Sequence, residues 1–215
     1  MKYYGQFKPT VDEIIHKRYF SNKFNGTSIE AGALDGIWAS STFFFKENYN
    51  WNTINIEPLN NMFKKLAVNR PDSINLNVAL SNKNDVSIIK NYKHPSLGYD
   101  WGNASIKHTK GHEEYLKRLC GSKNYIEQEI KTITYSTLIK EQKISKVDLF
   151  VLDVEGHEYE VIDGMKDAEV FPKVFVIEHG HRTPEEIVNK LKILPVKYKL
   201  DFISHVNSYL VRIDE

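Results

Sequence analysis

The sequence predicts an α/β protein: one mostly parallel sheet, closed by an antiparallel strand at the C-terminal end. Three observations lead there. Short apolar runs rich in Ile, Val and Phe alternate with amphipathic stretches over residues 27–194. The alternation then breaks at 198–214, where two strand-like runs are joined by His205-Val206-Asn207-Ser208, a hairpin signal. Finally, 215 residues with 41% hydrophobic side chains suit one large domain over 1–215 with an ordinary core.

The elements follow in order. Strands are expected at 27–34, 52–58, 73–81, 146–156 and 173–180, each short, β-branched and bounded by polar residues. Helices are expected between them. Residues 40–49 follow the first strand, and 58–70 follow the second. There Pro58 stands at the first turn, and Leu59, Met62, Phe63 and Leu66 share a face. The helix expected at 157–165 turns Tyr159 and Ile162 inward, with Glu158 and Glu160 in a solvated first turn that complements the dipole. Residues 183–194 open with Thr183, Pro184 and Glu186, a capping-box arrangement. The span at about 93–122 does not alternate and carries several glycines and aromatics. It reads as a lid or acceptor insertion on the sheet.

Composition excludes several classes. With 29 basic and 28 acidic residues the net charge is +1, so no overall field draws the chain to nucleic acid. No N-P-P-Y-type motif is present either. Cys120 is the only cysteine, which rules out a disulfide within the chain and reads as an inert thiol. No apolar signal segment follows Met1, and no apolar run nears the ~20 residues of a membrane helix. The expectation is a cytoplasmic protein without a membrane span.

A ligand site is expected at the strand ends. Gly32 and Gly36 follow the first strand and precede a helix, where a turn must pass close to a ligand. The dinucleotide fingerprint G-x-G-x-x-G is not met: the chain reads Glu30-Ala31-Gly32-Ala33-Leu34-Asp35-Gly36. A carboxylate beside the loop repels pyrophosphate and suits a cationic ligand. Glu57 ends the second strand 21 residues past Gly36, the place from which an acid holds a ribose diol. Ala79 and Leu80 end the third strand and can wall an adenine. Together these describe an adenosine with a positive centre and no phosphate, which S-adenosylmethionine (SAM) fits.

On these residues the sequence resembles the FkbM family of SAM-dependent methyltransferases. The segments carrying the resemblance are "IEAGALDGIWASST", "INIEP", "NVALS" and "VDLFVLDVEGHEYEVIDG", the last with the family's D-x-E-G-x-E at Asp153, Glu155, Gly156 and Glu158. The resemblance runs from about residue 4 to 212. It implies a Rossmann-like class I methyltransferase fold and methylation of hydroxyl groups, commonly on sugars or natural products. It also implies that Glu30, Gly32, Ala33, Asp35, Gly36 and Ser41 surround the methionine end of SAM. Glu57 and Pro58 would take the ribose, Ala79 and Ser81 would lie near adenine, and Asp153 would face the methyl group. Where relatives often read S-N-T, this chain has Ser40-Ser41-Thr42.

Methyl transfer to a hydroxyl depends on positioning and on a base for the hydroxyl proton. Asp153, Glu155 and His179 are the catalytic candidates; His157, Glu178, Tyr99 and Trp101 are the acceptor-binding ones. His108 and His112 of the lid stretch are further sugar-contact candidates, and His181 reads as surface. The expected partner is a small-molecule or glycan acceptor, with a carbohydrate hydroxyl leading. The alternatives are a phosphorylated or other small acceptor, metal assistance through Asp153, Glu155, Glu178, His179 and His181, and a SAM-binding module without chemistry. No metal site is assigned, because no spacing here is a metal signature.

Overall fold

The computed structural model describes residues 1–180 and 182–213. Seven strands form the main sheet: β1 (Thr27–Ala31), β2 (Asn52–Ile56), β3 (Ile74–Leu76), β7 (Leu149–Leu152), β8 (Val174–Glu178), β9 (Tyr198–Ser204) and β10 (Asn207–Arg212). Their order is β3-β2-β1-β7-β8-β10-β9. All pairs are parallel except β10 with β8 and with β9. The antiparallel C-terminal hairpin expected from "HVNS" is therefore present, and it inserts β10 between β8 and β9. The chain runs outward from β1 to β3, then returns to place β7 on the other side of β1. That reversal is the switch point of a doubly wound sheet, where ligands bind at the strands' carboxyl ends.

Strand residues alternate between two apolar layers, as a sheet covered on both faces requires. On one face, Phe150, Leu152, Phe175 and Ile177 pack with α5 (Tyr135–Glu141), α6 (Glu158–Asp163) and α7 (Pro184–Leu191). On the other, Leu149, Val151, Val174 and Val176 meet α1 (Val11–Tyr19) and α2 (Phe43–Tyr49). Phe150 stacks on Phe175 at 4.8 Å between ring centroids. Each ring so buried contributes on the order of 1.5–3 kcal/mol.

Several elements differ from the sequence reading. The run at 73–81 divides. Ile74–Leu76 joins the main sheet, whereas β4 (Ala79–Leu80) pairs with β6 (Tyr125–Ile133) in a second sheet of order β4-β6-β5, with β5 at Asp85–Tyr92. At the break, the Asn77 side-chain amide donates to the carbonyls of Glu57 and Pro58. The helix expected from 58 is α3 (Asn60–Asn69), with Pro58 outside it. The stretch 93–122 contains α4 (Lys110–Cys120), capped by Thr109, whose hydroxyl accepts from the His112 amide at 3.3 Å. The second sheet packs on α3 through Leu59, Met62, Ala79, Ile89 and Ile130. Among the described residues, no helix is long and apolar enough to cross a membrane.

Candidate functional site

A cleft opens at the carboxyl ends of β1, β2 and β7, with about 1120 Å³ of empty space including open solvent at its mouth. The turn after β1 approaches β7 so closely that only glycine fits. Gly32 has φ +90°, and a Cβ there would fall on the carbonyl oxygen of Asp153. Glu30, Gly32, Ser41, Glu57, Pro58, Ala79, Tyr99, Asp153, Glu155 and His157, all expected site residues, line this cleft.

Glu57 is buried, and both its oxygens are engaged by backbone. Oε2 accepts from the Leu34 amide at 3.0 Å and Oε1 from the Leu59 amide at 2.8 Å, so one carboxylate ties the β1 turn to the start of α3. Burial pushes its pKa up to about 7 against the pull of those two amides. Glu30 is the anchor of the next turn. Its carboxylate accepts from Ser40 Oγ, the Ser41 amide and Thr42 Oγ1 at 2.6–2.7 Å, and Arg70 Nη1 lies 3.7 Å away. Asp35 and Gly36 shape the loop without lining the cleft. Asp35 Oδ1 accepts from the Ile37 and Trp38 amides, and Gly36 packs against Leu66 and Arg70. Ala33 is buried beneath the turn, its amide on the Ile56 carbonyl. Ser81 also lies behind the wall and reaches the cleft through His157, whose Nε2 is 3.0 Å from its Oγ. His157 Nδ1 is buried and faces Glu160 Oε2 at 3.6 Å.

The other end of the cleft collects carboxyls. Asp153 is the first residue past β7, and Glu178 ends the neighbouring β8. Burial raises both pKa values, Asp153 to about 7, while the contact between the two carboxyls lowers Asp153 and raises Glu178. Glu155 has φ +57° and is held well above the usual carboxylate range by burial and by Asp153. Its Oε2 lies 3.4 Å from His112 Nδ1 on α4. Glu158, expected in a solvated turn, is instead 1% exposed. Its Oε1 accepts from the Gly156 amide at 2.9 Å, and its Oε2 accepts from Arg182 Nη1 at 2.7 Å. Arg182 Nη2 donates to the Gly156 carbonyl at 2.8 Å. Glu160 keeps the expected exposure in part and pairs with Lys107 at 3.1 Å.

Not every expected residue meets here. His179 is buried with Nδ1 3.0 Å from Ser208 Oγ and does not line the cleft. Trp101 donates Nε1–H to the Tyr92 carbonyl and packs against the cluster of Tyr92, Leu116 and Cys120. His108 bonds the Asn103 carbonyl through Nε2 at 2.7 Å. His181 lies outside the described residues. Among the described residues, no group of three or more His, Cys, Asp and Glu is arranged to hold a metal ion. Residues without any sequence signal also contribute. Gln6 and Phe7 border the mouth, with Phe7 stacked on His205 at 4.4 Å. Asn103 and Ser105 roof the cleft, and Ser105 Oγ donates to the Val154 carbonyl at 3.0 Å. Only Arg182 stood near a readable signal, two residues past Gly180 at a strand end.

The sequence matches no curated protein. Among solved structures, a methyltransferase FkbM from Methylobacillus flagellatus KT superposes with a TM-score of 0.51 at 11% identity, covering 91% of this chain. This chain spans 46% of that one, about half its length. A fibrillarin pre-rRNA processing protein of Methanococcus jannaschii (TM-score 0.41, 12% identity, 89% of this chain and 67% of that one) also matches. So does a human methyltransferase 10 domain containing protein (0.39, 10%, 94% and 77%). The fold is that of the class I methyltransferases. The methyltransferase FkbM domain model matches residues 30–212, nearly the whole doubly wound sheet and its lid, and the chain belongs to that methyltransferase family.

Proposed function

We propose that the chain is a SAM-dependent O-methyltransferase acting on a hydroxyl of a carbohydrate or sugar-containing metabolite. One observation carries this reading: among the described residues, Glu30, Glu57, Asp153 and Glu155 line the cleft, and neither Lys nor Arg does. A pyrophosphate would meet repulsion there, whereas a sulfonium ion gains from it. The donor set fits the rest of the cofactor too. Glu57 has no counter-cation among the described residues, and two ribose hydroxyls would satisfy its remaining lone pairs. Leu59, Met62, Leu80 and Ile89 form an apolar wall suited to a purine.

When bound, the cofactor supplies an electrophilic methyl group whose sulfonium departs as a neutral thioether. The protein's part is to hold the acceptor oxygen in line and remove its proton. The hydroxyl proton would pass to a carboxylate of the chain. Asp153 is suited to that task, since a pKa raised to about 7 lets it take up a proton near neutral pH. Glu155 orients the acceptor hydroxyl, and Ser105 and Asn103 exclude water from above. Glu30 holds the Ser40–Thr42 turn in place, and His179 supports the β8–β10 junction.

Calorimetry tests the cofactor assignment. S-adenosylhomocysteine (SAH) should bind and NAD should not; tight NAD binding without SAH heat sinks the reading. Glu57→Ala should weaken SAH by ~2–3 kcal/mol, the worth of charge-assisted hydrogen bonds to the ribose. Unchanged affinity in a folded variant would remove Glu57 from the site.

A further inference from the structure

A second cavity, with about 670 Å³ of empty space including open solvent, lies beside the main cleft. Glu155 and Val206 line both, so the two spaces meet at the carboxyl end, away from Glu57. Its far wall is the first turns of α4, where His112 and Tyr115 stand three residues apart with ring centroids 6.4 Å apart. Tyr115 is 46% exposed. An aromatic face held open at the rim of a polar cavity offers an apolar platform to a ring that is hydroxylated at its edge.

Charge then selects among such rings. Glu155, Glu158 and Glu178 contribute three carboxyl groups. Arg182 contributes the one guanidinium among the described lining residues. Its Nη1 is committed to Glu158 and its Nη2 to the Gly156 carbonyl, and the group lies over the Tyr159 ring at 4.4 Å. A phosphate group would bring about −1.5 to −2 charges up against these three carboxyl groups, with the Arg182 guanidinium already committed to Glu158 and Gly156.

Resting on the reading of the chain as a SAM-dependent methyltransferase, we infer that this side cavity is the acceptor site. An uncharged polyhydroxylated ring lies against Tyr115 with one hydroxyl at Glu155, and phosphorylated acceptors are rejected. Tyr115 is the specificity-setting residue, and it is distinct from the cofactor contacts.

Saturation-transfer NMR with methyl hexosides and matched hexose phosphates tests this on the full chain in the presence of SAH. Methyl hexosides should show transfer to the ring protons, and the phosphates should bind at least ~10-fold more weakly, about 1.4 kcal/mol. Tyr115→Ala should reduce hexoside affinity ~10-fold or more with SAH affinity unchanged, while Tyr115→Phe should retain it. Phosphates binding as well as hexosides, no hexoside binding, or indifference to Tyr115→Ala each overturn the inference while leaving the cofactor reading intact. Failure of SAH itself to bind overturns the functional reading, and this inference with it.

Discussion

Replacing Arg182 by Ala isolates the clamp that shapes the carboxyl end of the cleft. In the folded chain Glu158 is 1% exposed, and its side chain meets Arg182 Nη1 at 2.7 Å and the Gly156 amide at 2.9 Å. The Arg182 side chain is itself only 17% exposed, so solvent screens the pair little. Removing one partner of such a pair strands a buried charge, at a cost of ~3–5 kcal/mol. For a domain of this size each kcal/mol lowers Tm by ~2–4 °C, so Arg182→Ala should melt ~6–20 °C early. The pH dependence has a definite sign. Burial already raises the Glu158 pKa above 4.5, and loss of the guanidinium raises it further. A carboxyl whose folded pKa is raised favours the fold most below its unfolded pKa, so the deficit should be least below pH 4.5 and grow as pH rises. Scanning calorimetry across pH reads both effects. Arg182→Ala/Glu158→Gln should recover much of the loss, because no charge is then stranded. A single variant that melts with wild type at neutral pH, or a double variant worse than the single, would refute the clamp.

Two further outcomes follow from the same electrostatics. Glu57 has its pKa raised from 4.5 to about 7, so its contribution to stability is full below pH 4.5 and lost as pH rises to about 7. Glu57→Gln should flatten that part of the ligand-free stability profile, and an unchanged profile would count against it. With an acceptor identified, Asp153→Asn should cut turnover ~10²–10⁴-fold and Glu155→Gln should also lower it, with SAH affinity changed much less. Wild-type rates in both would make the carboxyl cluster structural, and loss of activity in EDTA with rescue by a divalent ion would assign the activation to a metal.

The strands that carry the site were legible because they are buried on both faces. Runs such as "LFVL" and "VFVIE" have no polar face to confuse the pattern. The segment between β3 and β7 was not legible for the opposite reason. Strand β6 pairs with β5 and exposes Glu127, Glu129 and Lys131, so its apolar residues are too few to show a period of two. Within the site, Gly32 and Glu57 stood at strand ends and could be found by position. Burial could not be read. Glu158 looks like any acid in a first helical turn until Arg182, 24 residues later, is folded against it. Trp101 and His108 failed for the converse reason: aromatic and polar side chains in a loop resemble ligand contacts, yet their donors are taken up by the Tyr92 and Asn103 carbonyls.

The spacing of Asp153-x-Glu155-Gly156-x-Glu158 has a physical basis in this fold. Asp153 must be the first residue past β7, because its carbonyl meets Gly32 and its amide closes on the Ala31 carbonyl at 3.1 Å. The chain then has to turn into α6 at once, which it does through left-handed conformations at Glu155 (φ +57°) and Gly156 (φ +109°). Glycine is required at the second of these, since a Cβ there would stand 2.8 Å from the Thr109 amide nitrogen and 3.0 Å from the Lys107 carbonyl of the lid. Glu155 is not glycine, so its positive φ costs energy that neighbouring structure must offset. Glu158 and Arg182 do so, gripping the Gly156 amide and carbonyl from both sides. A carboxylate held by strain at the junction of two cavities is therefore the product of the whole motif together with Arg182. Loosening either grip should cost positioning at Glu155 as well as stability.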